Sequence, residues 1–183
     1  MAIDLFTPVV PEERQHPNFR IITIPGLCQE ELKVIESWSD DFVDRDGKFV
    51  REFQTTFNSS FWELYLHAAF KELGYTADYS HSAPDYLLTA GRSAVVAEAT
   101  TSNHPDAYTA EWERDVSREA LEKLDVEEVV ELASVRLACA LAAKHRKYVE
   151  SYSSLPHVQG KPFVVCLAPY EQPYFFVQND NAL

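Results

Sequence analysis

The sequence predicts a mixed α/β fold of about four to five strands flanked by helices, in the order helix, three strands, helix, strand. Three observations predict it. Residues 84–100 (PDYLLTAGRSAVVAEAT) hold two apolar runs around Gly91-Arg92, which reads as a β-hairpin. Amphipathic helical patterns lie on either side, at 58–73 and through most of 110–151. After the second comes a short apolar run, Pro162–Ala168, that reads as a buried strand.

Taken in order, residues 1–27 read as irregular, with Pro8, Pro11, Pro17 and Pro25 as breakers. Residues 28–42 look helical, with Leu32, Ile35 and Trp38 on one side, and 44–47 (DRDG) is a turn. The helix at 58–73 carries Trp62, Leu66, Ala69, Phe70 and Leu73 as its apolar stripe, and Gly74 stops it. Tyr75–Ser80 reads as a first strand. In the hairpin, Gly91 at the first central position suits a type II′ turn, which needs positive φ there. Residues 103–109 are a loop, and the helical pattern that follows breaks near Leu124-Asp125. Its second piece shows Val126, Val130, Ala133, Leu137, Leu141 and Tyr148 on one face. Tyr174–Gln178 reads as a last strand.

A chain of 183 residues, 46% hydrophobic and 13% aromatic, is long enough for one domain with a real core. We divide it into an N-terminal arm, 1–50, with a short helix packed on the core, and a core at 51–183. No apolar run reaches the length of a membrane span, and the N-terminus lacks the basic and apolar regions of a signal peptide. Cys28, Cys139 and Cys166 are scattered without metal-ligand spacing, so reduced thiols in a cytoplasm are the expectation. A net charge of −13 argues against a broad nucleic-acid-binding surface, though not against bridging to phosphates through a divalent cation. No P-loop and no dinucleotide-binding glycine motif is present, and His81 and His104 match no metal motif.

Chemistry concentrates on four residues. With Gly91-Arg92 as a two-residue turn, Ala90 pairs with Ser93 and Asp85 falls opposite Glu98 on the same face. Their Cβ atoms would then lie about 4.5–5.5 Å apart, where two bare carboxylates repel. A divalent cation between them removes that cost. A register slip of one residue would put them on opposite faces. Glu98 sits in an otherwise apolar strand, where a charge needs a partner unless the strand is ending there. Glu63 has two readings: a capping box with Ser60, or a side chain turned inward from the edge of the apolar stripe. Lys144 lies on the core-facing stripe of its helix, three residues after Leu141, so it either snorkels to solvent or reaches a carboxylate at the sheet edge. Lys147 falls on a neighbouring face and reads as solvated.

Asp85 after Pro84, Glu98 on the next strand, and an acid on the preceding helix together resemble the PD-(D/E)xK nuclease superfamily, the restriction-endonuclease-like fold. The stretch FQTTFNSSFWELYLHAAFKELGY, then PDYLL and VVAEAT, is similar to uncharacterised bacterial members of it, over about residues 50–168. The resemblance implies an α-β-β-β-α-β core and gives Glu63, Asp85 and Glu98 the binding of Mg²⁺ (or Mn²⁺). The family's lysine, two residues after the strand acid, is replaced here by Thr100; Lys144 on the following helix would take over its role.

The function expected from this resemblance is metal-dependent hydrolysis of phosphodiester bonds in DNA or RNA, with Glu63, Asp85, Glu98 and Lys144 as the catalytic set. Arg51, Arg92, Arg136 and Arg146 are candidates for the mouth of the site, and a homodimer is one arrangement such nucleases use. The alternative is a nuclease fold without catalysis, acting as a binding or regulatory module; Thr100 and the acidic charge suit a basic protein partner. A third reading is a metal-dependent hydrolase of a small phosphorylated molecule. The sequence ends at Asn179–Leu183, where a helix could start, so a further element carrying basic surface is also an expectation.

Overall fold

The computed structural model describes residues 3–105 and 108–178. The tail at 179–183 and part of the loop at 103–109, positions 106 and 107, lie outside the described residues.

The hairpin forms as its turn residues dictate. Gly91 takes φ 58° and Arg92 does not take positive φ, as a type II′ turn requires. Strand β2 (Tyr86–Ala90) and strand β3 (Ser93–Asn103) pair antiparallel from Ala90 with Ser93 to Tyr86 with Ala97. The next step of that register sets Asp85 beside Glu98. A short strand β1 (Thr76–Asp78) pairs antiparallel with β2 on the other side. Strand β4 (Phe163–Glu171) runs parallel to β3, with Glu98 opposite Val165. The described residues thus form one four-stranded mixed sheet, ordered β1-β2-β3-β4.

The described residues also form six α-helices, of which α4 and α6 pack on the sheet: α1 (Pro17–Ile22), α2 (Gln29–Trp38), α3 (Phe49–Thr55), α4 (Phe57–Glu72), α5 (Arg118–Glu122) and α6 (Val126–Lys147). The N-terminal residues are less irregular than their prolines suggest. Pro17 is the first residue of α1, where its missing N–H costs nothing, and the His16 ring accepts from the Asn18 amide. Helix α3 was not expected from the sequence. The two Asp44 carboxylate oxygens accept the amides of Lys48, at the N-cap position, and of Phe49, the first helical residue, so the DRDG turn launches it.

The break near Leu124-Asp125 is real. Asp125 caps α6 by accepting the Glu128 amide at 3.1 Å. Tyr174–Gln178 is not a strand: Phe175–Val177 form a 3-10 turn, with Tyr174 at φ 55° reversing the chain. Some residues of the expected apolar stripes face water, since each helix covers only part of the sheet. Leu73 is 70% exposed beyond the end of α4, and Val126 and Leu141 are exposed on α6, while Leu66, Ala133 and Leu137 are buried.

The largest buried cluster combines Leu5, Phe19, Ile35, Phe42 and Phe49 with Phe53, Phe57 and Leu64, so residues on both sides of position 50 share it. Gln54, fully buried, ties the N-terminal segment down. Its Nε2 donates to the carbonyls of Leu5 and Thr7, and its Oε1 accepts the Val9 amide. Buried amides persist only when satisfied in this way. A second cluster, around Leu66, Tyr86, Leu88 and Ala97, fills the space between α4 and the sheet. The Trp62 indole there donates to the Cys166 carbonyl at 2.9 Å, and the Tyr86 hydroxyl to the Glu63 carbonyl at 2.5 Å. These bonds fix α4, and with it Glu63, against the start of β2.

Candidate carboxylate and lysine site

Asp85 and Glu98 stand together where β2 begins. Asp85 Oδ2 accepts the Ala99 amide at 2.8 Å, and Glu98 Oε2 lies 3.4 Å from the Asp85 amide. Glu98 is 1% exposed, and its other oxygen is crowded with donors. Lys144 Nζ and Lys147 Nζ each lie 2.9 Å from Oε1, and the Tyr152 hydroxyl lies 3.3 Å from it. Glu98 therefore does not end the strand in solvent; it is a buried, paired charge.

Lys144 turns inward, as its place on the stripe allows. Lys147 is solvated over about half of its side chain, as expected, but its ammonium also reaches Glu98. Residues three apart on a helix are neighbours, so one carboxylate can take both lysines while the Lys147 side chain keeps 49% of its surface in water. Its Nζ also sits 4.9 Å from the centre of the Tyr152 ring. Tyr152 reaches the site because the chain leaves α6 through a wider π-turn, Tyr148–Tyr152. The signal that could have found Lys147 was its spacing from Lys144; no sequence pattern announced the π-turn.

Glu63 is no capping residue. Helix α4 begins four residues before the Ser60-Phe61-Trp62-Glu63 box would place it, so the Ser60 amide already donates to the Thr56 carbonyl. The Glu63 side chain instead lines a cleft of about 300 Å³ together with Asp85, Glu52, Ser82 and Arg45. Arg45 is a site residue that the sequence did not single out. Its Nη1 donates to the His81 carbonyl at 2.9 Å.

The titration behaviour follows from burial and charge. Burial, then the Asp85 charge, pushes the Glu63 carboxyl up to about 7. Burial and the neighbouring Glu98 charge raise Asp85 above the usual carboxylate range, against the Ala99 amide bond that lowers it. Burial also pushes Glu98 up, but the hydrogen bonds and charges of Lys144 and Lys147 win and hold it below its ordinary value. The three acids thus differ: Glu98 is an ion compensated by lysines, while Glu63 and Asp85 are held partly against ionisation.

Among the described residues, no group of three or more His, Cys, Asp or Glu side chains stands arranged to hold a metal ion. The donor chemistry nonetheless fits Mg²⁺, which keeps several waters and needs only one or two carboxylates besides substrate phosphates. Glu63 and Asp85 are the carboxylates that could hold such a cation, and their mutual repulsion is a cost that a cation there would remove.

Among the described residues the Thr100 hydroxyl, on the same face as Glu98, hydrogen-bonds only to the Thr101 carbonyl, at 3.4 Å. Of the candidate arginines, Arg136 lines a groove that Lys144 also lines, while Arg51, Arg92 and Arg146 are exposed. His81 stacks on His157 with ring centres 3.7 Å apart, and His104 Nδ1 lies 3.2 Å from the Glu171 carbonyl. No described helix is long and apolar enough to cross a membrane. Comparison with protein-family models, with curated proteins and with solved structures finds no match.

Proposed function

We propose that the chain is a metal-dependent nuclease of the restriction-endonuclease-like fold, hydrolysing phosphodiester bonds of DNA or RNA with Mg²⁺ or Mn²⁺. The observation that carries this reading is the Lys144–Glu98 contact at 2.9 Å beside Asp85. A lysine from the helix reaches the strand acid that Thr100 leaves without one. The element order and the mixed sheet are compatible with that fold.

Glu63 and Asp85, with Oε2 of Glu98 on the Asp85 side, would hold the cation. When bound, it would lower the pKa of an attacking water and offset charge on the phosphate. Lys144 places a positive charge where the nucleophile or the phosphate oxygens come to lie. Glu98 holds that lysine in place, and Lys147 shares the load. Asp85 is oriented by the Ala99 amide, so its free oxygen has a fixed direction.

A second reading, a nuclease-like module that binds without cutting, is favoured by one observation. Glu98 Oε1 is already saturated by two lysines and a tyrosine, an arrangement stable without any cation. Incubation with labelled single- and double-stranded DNA and RNA in Mg²⁺ or Mn²⁺ separates the two. The nuclease reading expects cleavage of at least one substrate, stopped by EDTA. Folded protein that cuts none of them would leave the binding module.

A further inference from the structure

The side of Lys144 away from the acidic cleft opens into a second cavity. A groove of about 660 Å³ runs between the start of α4, the C-terminal half of β3 and the middle of α6, lined by Ser59, Thr100, Thr101, Arg136, Ala140 and Lys144. Ala99 also lines it, and the Ala99 amide holds Asp85. Asp85 itself lines the acidic cleft, while Ala99, which holds it, and Lys144, which pairs with Glu98, line the groove.

The chemistry of the groove differs from the rest of the surface. Its cations, Arg136 and Lys144, are eight positions apart on α6, about 12 Å along the axis. Arg136 Nε donates to the Asn103 carbonyl at 2.8 Å, which orients the guanidinium and leaves both Nη groups without a partner among the described residues. Short side chains between the two cations, Cys139, Ala140 and Ala143, keep the channel open, and Ser59, Thr100 and Thr101 add hydroxyls along it. One acid, Glu171, lines it too, and its Oε1 accepts the Thr101 hydroxyl at 3.4 Å.

The spacing suits a nucleic-acid backbone. Two cations about 12 Å apart can each meet a phosphate of one strand. Two cations in a chain of net charge −13 are too few for a duplex, whose binding typically neutralises about 6–10 phosphates. We infer that this groove binds a single-stranded segment of the substrate, with Arg136 holding a phosphate of the same strand as the one at Asp85 and Glu98. The inference deepens the nuclease reading and rests on it for the position of the cut, but its binding step can be measured alone.

The test is fluorescence anisotropy with a labelled 12-nucleotide oligothymidylate and a 12-base-pair duplex, in Ca²⁺, across a salt series. Wild-type protein is expected to bind the single strand at least about ten-fold more tightly than the duplex. Arg136→Ala is expected to weaken single-strand binding about ten-fold and to flatten the slope of log affinity against log salt by about 0.7, the loss of one phosphate contact. Arg136→Lys should restore part of the affinity, Ala140→Glu should weaken it again by placing a charge in the channel, and Lys33→Ala on the distant α2 should change nothing. Melting temperatures show whether each variant is folded.

Duplex binding as tight as single-strand binding, no binding to either probe, or unchanged binding in folded Arg136→Ala and Ala140→Glu would each overturn the groove. Cleavage that depends on Asp85 alongside unchanged binding in those variants removes the groove and keeps the nuclease. Arg136-dependent binding without any cleavage keeps the groove and removes the nuclease.

Discussion

Lys144 Nζ lies 2.9 Å from Oε1 of Glu98, a residue 46 positions earlier in the chain. The contact joins α6 to the centre of the sheet, and Lys147 repeats it on the same oxygen. A buried carboxylate with two lysines has a spare partner, which sets the energetics of the pair.

Removing one lysine leaves Glu98 paired. Lys144→Met or Lys147→Met alone should therefore cost about 1 kcal/mol or less, because each lysine is partly solvated. The double variant strands a buried charge and should lose about 3 kcal/mol, more than the two single losses together. Urea melts of the four proteins measure this coupling; additive losses would show that Glu98 does not depend on the pair.

Glu63 gives a pH signature. Its carboxyl titrates at about 7 in the folded chain against an ordinary value of 4.5. Between those values the folded state binds the proton and the unfolded state does not. The stability from this group is thus complete below 4.5 and is lost as pH rises through about 7. Melting temperatures of wild type relative to Glu63→Gln should fall between pH 5 and pH 8, and Mg²⁺ should recover part of the difference at pH 8 only. A parallel pH dependence in the two proteins would place Glu63 outside the acidic cluster.

Thr100 lies two residues after Glu98 on the same face of β3. If Lys144 does the work of a lysine at that position, Thr100→Lys should rescue Lys144→Met. We expect Lys144→Met to lower the cleavage rate about 100-fold and the added lysine to return at least about ten-fold of it. The comparison is made by single-turnover cleavage; no recovery in folded protein would assign Lys144 a role in anchoring Glu98 alone.

The hairpin turn positions both acids without touching them. A Cβ on Gly91 would meet nothing within 4 Å, but φ of 58° is strained for alanine. Gly91→Ala should cost about 1 kcal/mol with cleavage unchanged, and Gly91→Asn should cost less. Thermal melts read this out; a loss of cleavage greater than the loss of folded protein would mean that the register had moved.

What the sequence revealed and what it hid follow from locality. The facing of Asp85 and Glu98 was legible because a two-residue turn fixes the register, and the break before α6 because Asp125 caps it. Lys144 was legible from helix periodicity. Its partner oxygen, and Lys147 with Tyr152 on that oxygen, depend on a π-turn and on the packing of α6 over β3, which no local pattern encodes. Glu63 was half-legible: its place on α4 was right, but its capping role failed because a single residue, Thr56, separates α3 from α4, and the Ser60 amide already donates to the Thr56 carbonyl. Arg45 lay in a turn whose approach to Asp85 is purely tertiary.

The most direct measurement of the central claim is the rate of Mg²⁺-dependent cleavage of the best labelled oligonucleotide by wild type, Asp85→Asn, Glu63→Gln and Lys144→Met side by side, each shown to be folded. A metal-dependent nuclease centre built from these residues gives cleavage by wild type and a loss of about 100-fold or more in each variant. Cleavage that survives Asp85→Asn, or none by wild type on any nucleic acid, would contradict it.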